Sequence, residues 1–126
     1  MGNGTSIGRV RGLGSAKSGT HHWLVQRWTA VGNLVLIAYL AVSLLLLPSL
    51  SYQAVSQWIS GPVPAAAVAL LIVSTFWHAR LGLQVFIEDY VHGANRLAAL
   101  IALNLIVFAG ATFGLLSIVR LALGGA

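Results

Sequence analysis

The sequence has no cysteine. Disulfides, zinc–thiolate sites, iron–sulfur ligation and thiol catalysis by this chain alone are therefore excluded. Charge is almost as scarce. Asp, Glu, Lys and Arg make up 7% of the 126 residues, against about 25% in a soluble domain. The two acidic residues are Glu88 and Asp89, and no Asp, Glu, Lys or Arg occurs from Trp28 to Ala79. In their place stand hydrophobic residues, 58% of the chain, with a mean hydropathy of +0.89. A soluble fold of this composition could not cover its apolar core with polar surface, and a disordered tail is far less hydrophobic. The composition predicts an all-α integral membrane protein. A span takes about 20 residues, so three spans use roughly half the chain. The loops left over are too short for a separate catalytic domain.

The net charge is +5, an excess that often points to nucleic acid. Its position argues against that partner. Four of the seven bases, Arg9, Arg11, Lys17 and Arg27, precede the first apolar run, as expected of a cytoplasmic flank beside a membrane helix. Residues 1–27 are polar, rich in Gly and Ser, and free of acidic residues. They are predicted to form a loose cytoplasmic arm ordered by a partner. A secretory signal is set aside because its charged lead is normally short. A mitochondrial transit peptide is the weaker reading, given the Gly content.

Residues 28–126 are predicted to form a three-helix membrane anchor with spans at about 28–47, 64–87 and 97–119. Pro48 stops the first span. Ser49–Pro64 reads as a short loop whose Tyr52 and Trp58 suit a membrane–water interface. The second span starts near Pro64, a residue tolerated in a first helical turn, and the acidic segment Glu88–Gly93 ends the apolar run. Arg120 closes the third span, near enough its end to snorkel. The arm carries four bases, the first loop none and the second loop Arg96. This pattern predicts a cytoplasmic amino terminus and a periplasmic carboxyl terminus. No internal repeat is present. Gly110 and Gly114 are spaced for close helix contact, and Asn33 and Asn104 for hydrogen bonds between helices.

Ionisable groups are costly in hydrocarbon and usually face a protein interior, a cofactor or a water path. His78 lies well inside the second span, ~15 Å of helix rise from its cytoplasmic end, with Arg80 two residues on. A neutral imidazole is a good axial ligand for haem iron; the competing reading is a histidine bonded to a neighbouring helix. Ser74, His78 and Gly82 fall on one helical stripe. Its small residues either leave room for a flat macrocycle or serve ordinary helix packing. Asp89 falls on the same face about three turns later, followed by Tyr90. A tyrosine hydroxyl can donate to a quinone carbonyl and an adjacent carboxylate can relay protons; a capped helix end with an interfacial Tyr fits the local pattern equally. On the arm, Arg27 suits either a carboxylate partner or a plain positive-inside anchor. His21 and His22 read as interface residues. A different class of protein stays open on these residues: a small membrane assembly or transport protein in which His78, Arg80 and Asp89 form an ion path.

The stretch from His78 through Gly82 to Asp89-Tyr90-Val91 resembles the signature of the small hydrophobic membrane anchor of succinate dehydrogenase, its D subunit. Gly19-Thr-His-His-Trp-Leu-Val-Gln-Arg27-Trp-Thr29-Ala30 is similar to the family's lead-in to its first span. The resemblance covers about residues 8–120 and is nearest the alphaproteobacterial members, which sit in the bacterial inner membrane rather than a mitochondrial one. It implies a non-catalytic anchor of a succinate:quinone oxidoreductase, respiratory complex II. His78 would give one axial ligand to haem b, shared with a cytochrome b556 C subunit. Tyr90 would hydrogen-bond ubiquinone as substrate, with Asp89 beside it in proton delivery. Arg27, with His22, would lie at the haem propionates and quinone pocket. The implied partners are the C subunit, an iron–sulfur subunit, a flavoprotein subunit and membrane lipid. Arg11 and Lys17 are expected to help the arm dock on the soluble subunits.

Overall fold

The long uncharged runs contain few residues able to stop a helix, and the computed structural model is correspondingly all-helical over the residues it describes, 18–124. In chain order these are α1 (Gly19–Leu45), α2 (Tyr52–Ile59), α3 (Pro62–Tyr90) and α4 (Gly93–Ala122). The three long helices are long and apolar enough to cross a membrane. They contain 27, 29 and 30 residues. At 1.5 Å per residue each is about 40–45 Å long, more than the ~30 Å hydrocarbon core. The helices therefore tilt or stand their ends in the headgroup region.

Two local features depart from the reading of the sequence. The chain is helical from Gly19, where composition predicts a loose arm as far as residue 27. No proline interrupts residues 19–27, and the turn from His22 is closed back onto Ser18 by a backbone bond of 3.1 Å. Arg9, Arg11 and Lys17 lie outside the described residues, as does any docking role for them. The second departure is α2, in the segment read as a loop. The Ser51 hydroxyl caps it by accepting from the Ala54 amide at 3.3 Å, a standard helix start. Its Ile59 is almost fully buried, 2% exposed. An amphipathic helix of eight residues, about two turns, is too short to register against two long apolar neighbours in a composition scan.

Gly61 and Pro62 begin α3, with proline at the first helical position, where its missing amide costs nothing. The turn between α3 and α4 is Val91-His92 in extended conformation, then Gly93 at φ +63°. That left-handed value explains the glycine.

The helix α3 is the middle one, packed on α1 at one side and α4 at the other, with α2 touching α3 and α4. A Cβ on Gly110 would come 2.6 Å from the Phe76 ring, and one on Gly114 would come 3.2 Å from Ile72. The two glycines thus let α4 lie close against α3, as their spacing predicts. Very little is buried: among the described residues only Ile59, Leu81 and Leu103 are buried hydrophobics. Most of the apolar surface faces outward, toward lipid or other chains.

Candidate functional site

The α1–α3 contact carries a seam of polar residues inside an apolar assembly. His22, Gln26, Thr29 and Asn33 recur at helical spacing on α1, and each is half-buried. They face the α3 stripe of Ser74, His78 and Gly82. Ser74 Oγ donates to the Thr29 carbonyl at 3.3 Å. His78 Nδ1 lies 3.1 Å from Thr29 Oγ1. A Cβ on Gly82 would meet the Gln26 amide nitrogen at 3.5 Å, and one on Gly32 would meet Ser74 Oγ at 3.7 Å. The stripe thus holds α1 directly against α3. Small residues on both helices permit that approach.

The antiparallel course of α1 and α3 sets the amino-terminal turns of α1 beside the last turns of α3. There the helices diverge around an open cleft of about 710 Å³. His22, Gln26, Arg27, His78, Gln84 and Glu88 are among the residues that line it. The Arg27 guanidinium lies over the Trp23 ring, 5.3 Å from its centroid, a cation–π contact that steadies a long side chain. Glu88 accepts from the Gln84 amide at 3.0 Å and lies 3.8 Å from Arg96. His78 Nε2 has no hydrogen-bond partner among the described residues. Among them, too, no three metal-ligating side chains converge; His22 and His78 are the two imidazoles that line the cleft.

Three of the predicted site residues, His22, Arg27 and His78, therefore share one cleft. Asp89 and Tyr90 do not join them. The helix stays regular through Tyr90, so Asp89 keeps its register with His78, but it lies beyond the cleft lining and is exposed. Tyr90 is 72% exposed and stacks on Phe86 at 4.8 Å between ring centroids. The groups of the ion-path reading diverge as well. Arg80 turns to the opposite side of α3, where its Nε donates to Asn104 Oδ1 and its guanidinium lies 5.7 Å from the Trp77 ring centroid. His78 faces α1 and Asp89 faces outward. Asn104 makes the expected bond between helices. Asn33 does not: its Oδ1 is buried with no partner among the described residues.

Sequence reasoning passed over Thr29 and Gln26 as chemistry-bearing residues. The available signal was the recurrence 22, 26, 29, 33, a heptad-like polar line on one face of a largely apolar helix.

The model of the succinate dehydrogenase/fumarate reductase transmembrane subunit family matches residues 1–115. The chain is 32% identical over 113 residues to the succinate dehydrogenase hydrophobic membrane anchor subunit of Rickettsia bellii, covering 90% of this chain and 86% of that one. It is 29% identical to the subunit of the same name from Paracoccus denitrificans, over 91% of this chain and 89% of that one. A succinate dehydrogenase membrane anchor subunit from Reclinomonas americana is 34% identical over 61% of this chain and 67% of its own length. No solved structure matches.

Proposed function

The chain belongs to the succinate dehydrogenase/fumarate reductase transmembrane subunit family, and from that premise we propose that it binds haem b through His78 and forms one wall of a ubiquinone reduction site. It is a membrane anchor subunit of succinate dehydrogenase, non-catalytic by itself. The observation that carries the haem reading is the state of His78: one ring nitrogen lies against the Thr29 hydroxyl and the other has no partner among the described residues, in a cleft that Arg27 and His22 share.

The donor set suits haem. A neutral imidazole gives iron one axial nitrogen, and a guanidinium and a second imidazole near the same opening suit propionate carboxylates. When bound, haem b supplies a one-electron couple whose potential follows its axial ligands and surroundings. With His22 assigned to the propionates, His78 is the one axial imidazole proposed for this chain, and the second axial ligand is proposed to come from the cytochrome b556 C subunit. The cleft's openness supports the same conclusion.

The quinone reading rests on Tyr90 and Asp89. The Tyr90 hydroxyl donates to a quinone carbonyl oxygen, which orients the head group and favours negative charge on that oxygen. The Asp89 carboxyl, next in sequence, holds the proton that the reduced oxygen takes up. Both side chains are exposed, as a site completed by partner subunits requires. Succinate oxidation and the iron–sulfur chain belong to the flavoprotein and iron–sulfur subunits. The bacterial inner membrane is the proposed location, with relatives mostly alphaproteobacterial.

The test is a reduced-minus-oxidised spectrum of the complex purified through a tag on this chain. A b-type signal with co-purifying flavoprotein and iron–sulfur protein is expected, and His78→Ala removes the signal. A signal unchanged in His78→Ala overturns the ligand assignment.

A further inference from the structure

We infer that Thr29 is the positioning residue that sets the tautomer and orientation of His78, so that Nε2 is presented to iron with its lone pair free. The inference rests on the proposal that His78 is an axial ligand, and it deepens that proposal by assigning the group that prepares the imidazole.

The hydrogen-bond arrangement around Thr29 Oγ1 supports it. Three atoms lie within reach: the Val25 carbonyl at 2.9 Å, the Gln26 carbonyl at 3.0 Å and His78 Nδ1 at 3.1 Å. The hydroxyl has one proton and two lone pairs. Carbonyl oxygens only accept, so the proton goes to Val25 or Gln26, and a lone pair is left toward the ring. Nδ1 is then the donor. In a neutral imidazole with Nδ1 protonated, Nε2 carries the lone pair. The opposite tautomer would require the hydroxyl to forsake both nearer acceptors.

The backbone fixes the hydroxyl where it is needed. Thr29 lies within α1, and its helical back-bond restrains χ1. Ser74, one turn from His78 on α3, donates to the Thr29 carbonyl, so the two helices are pinned at the level of the ring. Metal-ligating histidines commonly donate their second nitrogen to an oxygen in this way, and losing that oxygen typically costs 10–100-fold in metal affinity. Here the oxygen is a hydroxyl and comes from a different helix of the same chain. The ring is thus oriented before any partner subunit is added.

The experiment uses the assembled complex and reads haem retention and midpoint potential. Thr29→Val keeps the shape and removes the hydroxyl. It is expected to speed haem loss by about tenfold or more and to raise the potential, because an imidazole without an acceptor at Nδ1 donates less to ferric iron. A tenfold change in the ferric-to-ferrous affinity ratio is about 59 mV for one electron. Thr29→Ser restores the hydroxyl and the wild-type values. Ser117→Ala removes a hydroxyl that donates to the Phe113 carbonyl within α4, away from the ring, and leaves the potential unchanged. If Thr29→Val does not assemble, Thr29→Ala is compared with Thr29→Ser: a raised potential in Ala alone supports the inference. Equal potentials in the hydroxyl-bearing and hydroxyl-lacking variants overturn it, while His78 ligation stands if His78→Ala still loses the haem. A wild-type complex without haem overturns both.

Discussion

A histidine in the middle of an apolar helix is defined by what its two ring nitrogens meet. His78 meets a threonine hydroxyl on one side and, among the described residues, no hydrogen-bond partner on the other. Tyr90 is the contrasting case. Its ring stacks on Phe86, it stands at the end of α3, and no hydrogen bond ties its hydroxyl to the described residues. A side chain so placed is free to serve a ligand held mainly by other subunits. Tyr90→Phe keeps the stacking and removes the donor. The expected outcome is about a tenfold fall in quinone reductase activity, on the order of one hydrogen bond, with succinate oxidation by an artificial acceptor unchanged. Equal loss of both activities would show failed assembly instead, and quinone reductase activity at the wild-type level would remove the quinone role. Arg27→Ala removes both a cation over Trp23 and a base at the cleft. Haem retention is expected to fall in that variant with the spectrum shape preserved, since the axial ligands are untouched. A wild-type retention rate would leave Arg27 as a charge anchor only.

Among the elements, α3 and α4 depend on two glycines, and α1 and α3 on a polar seam. The Phe76 ring occupies the space a side chain at 110 would need. Gly110→Ala is therefore expected to destabilise the α3–α4 pair by about 1–3 kcal/mol, read as a lower temperature of subunit dissociation. Gly114→Ala costs less, because Ile72 stands 3.2 Å away and can give by a few tenths of an ångström. A Phe76→Leu substitution recovers much of the Gly110→Ala loss if ring overlap is the cause, and fails to do so otherwise. Packing on the other side of α3 is chemically different. There Ser74 and Gly82 admit backbone and amide atoms of α1, and the contact gains direction from hydrogen bonds rather than from shape alone.

For the whole molecule, the distribution of burial is the leading fact. Leu34, Val35, Leu45, Leu105, Ile106, Phe108 and Phe113 are all more than 60% exposed. Such faces are stable against lipid or partner helices and not against water. Charge is distributed along the membrane normal as well. Arg27 and Arg96 belong to the end that holds the cleft, and Arg120 to the far end. By the positive-inside rule the proposed topology has the cleft facing the cytoplasm. The absence of native cysteine makes this simple to test. Single cysteines at Asn95 and at Ser49 are expected to react with an impermeant thiol reagent from opposite sides of the membrane, Asn95→Cys from the cytoplasm and Ser49→Cys from the periplasm. The reverse pattern would invert the proposed topology.

Composition and charge spacing by themselves determined that the chain is helical, that three helices are long enough to span, and that His78 is out of place in its span. These properties depend on transfer free energies summed along a segment, which need no knowledge of neighbours. The glycine pair on α4 was legible for the same reason, since a bare helix face invites close packing wherever it lies. Only the tertiary structure decided what His78 touches. Thr29 and His78 are far apart in sequence, and their meeting depends on how deeply α1 sinks onto α3, which Ser74, Gly82 and Gly32 set together. The open cleft lies beyond that contact, beside the first turns of α1. Packing also turned Arg80 away from His78, because residues two apart on a helix point to opposite sides and α4 offered Asn104 as a partner. The helix α2 escaped the sequence reading because its stability comes from Ile59 against α3 and α4, a tertiary contact that no local pattern contains.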